Sequence, residues 1–483
     1  MGQRIARGAT FPNRQEFYTA THVGTGWVAE ALNDSVVFQK NIYRSVSENY
    51  FGTMEFTPRN GVRPGRPGTS TILMIREAWE RGLAVLKPSA AELERGLALH
   101  GESLVLDTFG FLPMGWNDEA TRRWNGLVEQ NPGGDRFHFE GGLVRSLSPT
   151  FNAESSADFL EALAVTGLCG MIHTAAEGKS MPEDMKRIAA SAHLVGSFGE
   201  RVVQARHPED FRRAWRNRTF AAAFSVNGPP CPGHLNSLEE EIEWFPAWHQ
   251  LGVRLMHLSY NRQNVVATGC AERNDAGLTD LGREVVRAMN RIGLVVDVPH
   301  SSENASLQAA EVSNKPIMAS HVCCKAVYDH MRNKSDRVLR AIAGTGGLVG
   351  ITSRPAFLGP DATISTLLDH IDHALAIVGE DHVAIGSDTT FIPPYGEGVK
   401  PRPAGAFSEK WWGAWWHQAR HSSTTSDDHR YGSLAWTNWP LLTVGLLLRG
   451  HREEAIRKIL GLNLLRVLEA NLPETRVSEP LEA

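Results

Sequence analysis

No stretch of this sequence approaches the roughly 18 consecutive apolar residues that a helix needs to cross a bilayer. Charge of one sign is lacking too: across 483 residues the formal net charge is only −5. Such a balance favours neither a polyanion-binding nor a membrane-seeking surface. The expectation is a cytoplasmic chain that binds neither nucleic acid nor membrane. Cysteine is scarce and odd in number, Cys169, Cys231, Cys270, Cys323 and Cys324, with no CxxC spacing. That pattern reads as free thiols in a reducing compartment, with Cys323-Cys324 as an alternative soft ligand pair. The opening residues, MGQRIARGATFPNRQEF, are basic but carry no apolar segment, so they do not read as a secretory signal. No glycine-rich phosphate loop follows the first predicted strand, which argues against an open, doubly wound nucleotide-binding sheet.

Hydrophobic residues make up 42% of the chain and charged residues 21%, ordinary for a globular protein. About eight short apolar runs, most followed by a helical pattern, lie between residues 104 and 390. Strand and helix in alternation imply a parallel α/β domain, and the count suits a closed (β/α)8 TIM barrel. Residues 1–100 read as an N-terminal extension packed on the barrel, 101–391 as the barrel, 392–432 as a Trp-rich insertion and 433–483 as closing helices. Within the extension, residues 1–85 show no clean period. Ser89 and Glu92 are spaced as a capping box that starts a helix. The segment between Pro113 and a helix near 156–167 reads as a polar loop, and 182–204 as one long helix. Trp411, Trp412, Trp415 and Trp416 suit a lid, a substrate platform or an interface.

Chemistry concentrates between Gly293 and Asn333. Two apolar runs there each lead to a histidine, His300 and His321, with a helical segment between them. A later run, HVAIGSD, ends in Asp388. A parallel barrel gathers such strand ends at one face, where its chemistry sits. Imidazole nitrogen and carboxylate oxygen there suit Zn, Mn or Fe. Asp297 is placed to orient a ligand histidine or to serve only as a polar strand end. His257 is expected on the other face of its strand. His370, Asp372 and His373 read as a solvated helix face.

The segments VRLMHLSYNRQN, GLTDLGREVVRAMNRIGLVVDVPHSS, PIMASHVCC, MRNKSDRVLRAIAGTGGLVGI and DHVAIGSD resemble the membrane (renal) dipeptidase family of the amidohydrolase superfamily. The closing helices resemble it as well. The resemblance implies a (β/α)8 barrel with a two-zinc site, and a dimer. It puts His300 and His321 where the family holds its second metal, and Asp388 where it keeps a metal neighbour and proton shuttle. Arg332 falls at the position of an arginine that binds a substrate carboxylate, and Tyr260 at that of a substrate-contacting histidine. The first-metal ligands depart from the pattern. Phe109 and Phe111 replace a histidine and an aspartate, and Asn227 replaces the bridging glutamate. Three readings follow. One is a hydrolase of a small carboxylate-bearing amide, with one divalent metal on His300, His321 and Asn227 or Asp388. Zn is the first expectation for that metal, Mn or Fe the alternatives. Another is a metal-free barrel acting as a binding or scaffold subunit; under any reading a homodimer or hetero-oligomer is expected. The third is an Fe(II) facial-triad oxidative enzyme.

Overall fold

The strands of this chain are short and almost wholly apolar because parallel strands in a barrel are covered on both faces. They are β1 (Leu106–Gly110), β2 (Gly170–Ala176), β3 (Val202–Gln204), β4 (Phe220–Val226), β5 (Val253–His257), β6 (Val295–Asp297), β7 (Met318–Val322), β8 (Leu348–Ile351) and β9 (Val383–Ile385). The computed structural model describes residues 67–178, 180–229, 238–393, 398–403 and 432–472. All of them belong to one unit, Val62–Ala483.

Every strand pairing is parallel, in the order β1-β2-β4-β5-β6-β7-β8-β9. β3 pairs with the beginning of β4 and β5 with its end. The ring closes just past β1 and β9, where Asp388 N–H donates to the Phe109 carbonyl at 2.9 Å and Phe111 N–H to that of Thr389 at 3.2 Å. The result is the expected (β/α)8 barrel. Its interior is filled by Leu106, Ile172, Ala223, Leu255, Met318 and Ala384, all buried. Above that layer the backbones approach closely. Thr108 Oγ1 donates to the Ser320 carbonyl at 2.7 Å and to that of Ile385 at 3.1 Å. A Cβ on Gly386 would lie 1.9 Å from the Ser320 carbonyl oxygen, so only glycine admits this approach.

The Ser89–Glu92 capping box forms as expected and opens the helix Ala90–Glu102. Three segments differ from expectation. The stretch read as a polar loop holds the helices Asp118–Gln130 and Gly134–Leu147. The first buries only Ala120, Trp124 and Leu127, a stripe too sparse to stand out among its charges. The helix predicted over 182–204 ends at Gly196, and the Val202-Val203 pair enters β3 instead, as β-branched residues favour. A helix, Pro67–Leu86, also occupies the end of the segment without a clean period. The tryptophans at 411–416 lie outside the described residues.

His370 also departs from its expected solvated face. It is fully buried, with Nδ1 accepting from Cys324 N–H at 3.0 Å. Asp372 and His373 do lie nearer the surface, paired with Arg449 and Asp336. Cys323 and Cys324 are free and buried, and burial pushes both thiols up, Cys324 to about 12. Protonated thiols of this kind are packing groups.

A buried histidine gives this fold a local pH signature. His100 is buried between Thr443 Oγ1 at 2.7 Å and the Thr166 carbonyl at 2.8 Å. Burial lowers it to about 4, against the pull of that carbonyl. Between that value and the ordinary 6.5 or so, only the unfolded chain binds the proton. His100 therefore loses its stabilising contribution as pH falls through this window. A His100→Gln variant should be less stable than the parent at pH 7. The gap should narrow by about 1.4 kcal/mol per pH unit below about pH 6. Urea unfolding of both chains from pH 7 to 4.5 checks this, and a constant gap would refute it.

Candidate metal centre

β6 ends in Asp297, and the turn after it presents His300; β7 carries Ser320 and His321. Both histidines are buried, with 3% of His300 and none of His321 exposed. Asp297 is wholly buried and takes Ser320 N–H on Oδ1 at 2.8 Å and Ser320 Oγ–H on Oδ2 at 2.5 Å. With its one proton given to the carboxylate, Ser320 Oγ accepts from His321 Nδ1–H at 2.9 Å. On the other ring, His300 Nδ1–H donates to Asn261 Oδ1 at 2.7 Å. Both Nδ1 protons are thereby engaged, so both Nε2 atoms carry lone pairs. These Nε2 atoms stand 3.0 Å apart. Two lone pairs at that distance repel unless a cation lies between or beside them.

This donor set fits a metal. Zinc–nitrogen bonds of about 2.0–2.1 Å meeting near a right angle place two nitrogens about 3 Å apart. Burial, and next the nearby Arg332, hold both rings well below the ordinary histidine pKa, so they stay in the neutral form that ligates. Aromatic rings fix the pair from outside. Tyr260 stacks on His300 with ring centres 4.0 Å apart, and Phe109 stacks on His321 at 3.8 Å. Phe109, expected only as the replacement of a ligand, thus braces the His321 ring. Phe111 meets Phe109 edge-on at 6.1 Å.

Arg332 is buried, with Nη2 3.3 Å from His300 Nε2 and 3.2 Å from the His321 carbonyl; Nη1 donates to the Pro299 carbonyl. It forms no ion pair with a carboxylate among the described residues. Asp388 follows β9 in the left-handed backbone region, φ 53°, which aspartate tolerates better than most residues. Its carboxylate lies 3.6 Å from Arg354 Nε. Burial raises its pKa, against the pull of Arg354 and then Arg332. Asn227, just past β4, does not stand alone: its Nδ2 donates to Glu177 Oε2 at 2.9 Å. Burial, then the Glu177 and Asp388 carboxylates, push the Tyr260 phenol well above its ordinary value, so it remains a donor.

His257 corrects a sequence expectation. It belongs to the barrel interior, with its ring centre 5.3 Å from that of His300 and 5.4 Å from that of His321. Its Nε2 lies 2.9 Å from Asp297 Oδ2, yet neither ring nitrogen makes a well-directed hydrogen bond. His257, Asp297 and His321 bring ligand atoms within 4.8 Å of one another. Ser320 Oγ already bridges Asp297 and His321, so this trio acts as support beneath the histidine pair. Sequence reading missed Glu177, Arg354 and Ser320. The strand-end rule that found His300 applies equally to Glu177, which directly follows β2.

The family model for membrane dipeptidase (peptidase family M19) matches residues 157–400. The chain belongs to the membrane dipeptidase family. That family is one of metal-dependent hydrolases of dipeptidase type. Dipeptidase tcpJ of Claviceps purpurea is 27% identical over 294 residues, 60% of this chain and 60% of that protein. The chain thus matches less than two thirds of that relative's length. An amidohydrolase of Pseudomonas aeruginosa is 28% identical, with a TM-score of 0.57 over 78% of this chain and 99% of that one. A metallopeptidase of Rhodobacter sphaeroides, solved with a phosphinate mimic of the dipeptide L-Ala-D-Ala, shares the fold at 18% identity and a TM-score of 0.52. That likeness covers 77% of this chain and 100% of the other.

In this membrane dipeptidase relative the Asp297–Ser320–His321 chain should govern metal affinity. A Ser320→Ala variant frees the His321 tautomer and should weaken zinc binding about 10- to 100-fold. Competition with a chromogenic zinc chelator measures it. An unchanged affinity would remove Ser320 from the metal's support.

Proposed function

We propose that this chain is a hydrolase of a small carboxylate-bearing amide, such as a dipeptide, working with one divalent metal held by His300 and His321. The observation that carries this reading is the convergence of the two Nε2 lone pairs at 3.0 Å, with both Nδ1 protons engaged elsewhere. Zinc is the first candidate, since neutral imidazole suits it. When bound, such an ion supplies Lewis acidity toward a carbonyl oxygen and a water. The chain's own residues supply the rest. Asp388 takes a proton from the attacking water and returns one to the departing amine. Its raised pKa makes it a stronger base than an exposed carboxylate. Arg332, and Arg354 beside Asp388, offer guanidinium groups to a substrate carboxylate. The Tyr260 phenol stays protonated and donates a hydrogen bond to the bound substrate.

Phe109 and Phe111 offer no lone pair, and the Asn227 amide is bonded to Glu177. These replacements support a one-metal count in place of two. A second reading, a non-catalytic binding subunit, is favoured by Arg332. Its Nη2 lies 3.3 Å from His300 Nε2 and brings a permanent positive charge to the histidine pair.

Metal analysis separates the two. Purified protein should carry about one Zn, Mn or Fe per chain, and His300→Ala should lose most of it. A metal-free parent chain would overturn the enzyme reading in favour of the binding subunit. Asp388→Asn should keep the metal and lower dipeptide turnover at least about 100-fold. Unchanged turnover would remove Asp388 from the mechanism. The triple change Phe109→His, Phe111→Asp and Asn227→Glu should raise the bound metal toward two per chain. No rise would mean that these positions no longer correspond to a first metal site.

A further inference from the structure

Asp388 carries the proton in the proposed reaction, yet its carboxylate accepts no hydrogen bond among the described residues. Arg354 Nε stands 3.6 Å away, beyond hydrogen-bond reach. The backbone therefore aims this side chain. That backbone lies at φ 53°, a region that a residue with a side chain keeps only where its surroundings over-determine it.

Those surroundings lie at the seam where the ring closes. Asp107, on β1, is wholly buried. Its Oδ1 accepts from Ser387 N–H at 2.8 Å and from Phe109 N–H at 3.1 Å. Its Oδ2 accepts from Ser387 Oγ–H, and from Trp436 Nε1–H at 3.4 Å. One carboxylate thus grips Ser387 by main chain and side chain together. A Cβ on Gly110 would stand 2.6 Å from Asp107 Oδ2 and 2.9 Å from Ser387 Oγ, so glycine leaves room for this contact. With its proton given to Asp107, the Ser387 hydroxyl can only accept, and it takes Thr389 N–H at 3.3 Å. That bond spans Asp388 and bends the chain around it, as a serine turn does. The Ser387 carbonyl is fixed as well, accepting from Thr352 Oγ1 at 3.1 Å and from Ser353 Oγ at 3.0 Å.

The same device stands on β6 and β7. There Asp297 takes the N–H and the Oγ–H of Ser320, and the serine oxygen then orients His321. In both places a buried aspartate uses its two oxygens on one serine, and the residue after that serine reaches the mouth. One pair lies on the closing seam and the other between ordinary neighbours in the ring. What the two places share is the residue they precede, not their position in the barrel.

We infer that Asp107 and Ser387 are positioning residues for Asp388: bonded to each other beneath the mouth, they fix the direction in which its carboxylate meets the attacking water. The inference rests on the reading of Asp388 as the proton carrier.

The test is a double-mutant cycle on the full chain, loaded with zinc, with L-alanyl-L-alanine as substrate. Ser387→Ala should lower kcat about tenfold. KM should stay within about twofold of the parent's, at unchanged metal content. In an Asp388→Asn background the same substitution should change the residual kcat by less than about twofold, because no base is left to aim. A merely structural weakness would lower kcat by the same factor in both backgrounds. That result, or an unchanged kcat in Ser387→Ala, overturns the inference while the proton-carrier reading stands. If Asp388→Asn turns over at the parent's rate, or the parent does not turn over the dipeptide, the reading and the inference fall together. Asp107→Asn keeps its shape and leaves its amide oxygen with the two N–H donors, which sets its NH2 against the Ser387 hydroxyl. It should show the same loss, and the same disappearance of that loss in the Asp388→Asn background. It takes the place of Ser387→Ala should that variant fold poorly.

Discussion

Asp297 is a buried carboxylate that accepts two hydrogen bonds from one neighbour, Ser320, and the rest of the centre depends on that contact. Burying a charge is costly unless hydrogen bonds replace its water, and Ser320 supplies them with its backbone and its side chain together. Once the hydroxyl proton is committed, His321 must donate from Nδ1 and present Nε2 to the barrel's mouth. Asn261 imposes the same choice on His300. The chemistry of the pair is thus decided one layer below it, by groups that touch no substrate.

Much of the fold was legible in the residues because the barrel's periodic elements are nearly pure apolar runs. VRLMH, GLVV and HVAI become β5, β6 and β9 within a residue or two. His300, His321 and Asp388 were legible for the same reason, since each follows such a run. The helices over 118–147 were not, because their buried stripe is sparse and their charges dominate. Glu177 follows a strand too, but its tie to Asn227, 50 residues later in sequence and adjacent in space, is visible only in the fold. His257 was misplaced because alternation does not tell the barrel's interior from its outer face when a strand is buried on both.

The mouth of the barrel combines loss with retention. On β1 the chain has aromatic rings where the sequence resemblance leads one to expect ligands, while histidines follow β6 and sit on β7. These are not independent events in the structure. Phe109 fills the space beside His321 and stacks on it, so the β1 and β7 sides of the mouth are in van der Waals contact. Tyr260 does the same for His300. Each of the two histidines therefore has an aromatic wall on one face and a hydrogen-bonded anchor at Nδ1.

That wall changes when the centre takes shape. A coordination bond exists only after an ion arrives, and ligands that wait for one are free to wander until then. The face of Phe109 against His321 is present as soon as the chain folds. On the β1 side the surroundings of His321 are thus set by folding itself, before any ligand could contribute to them.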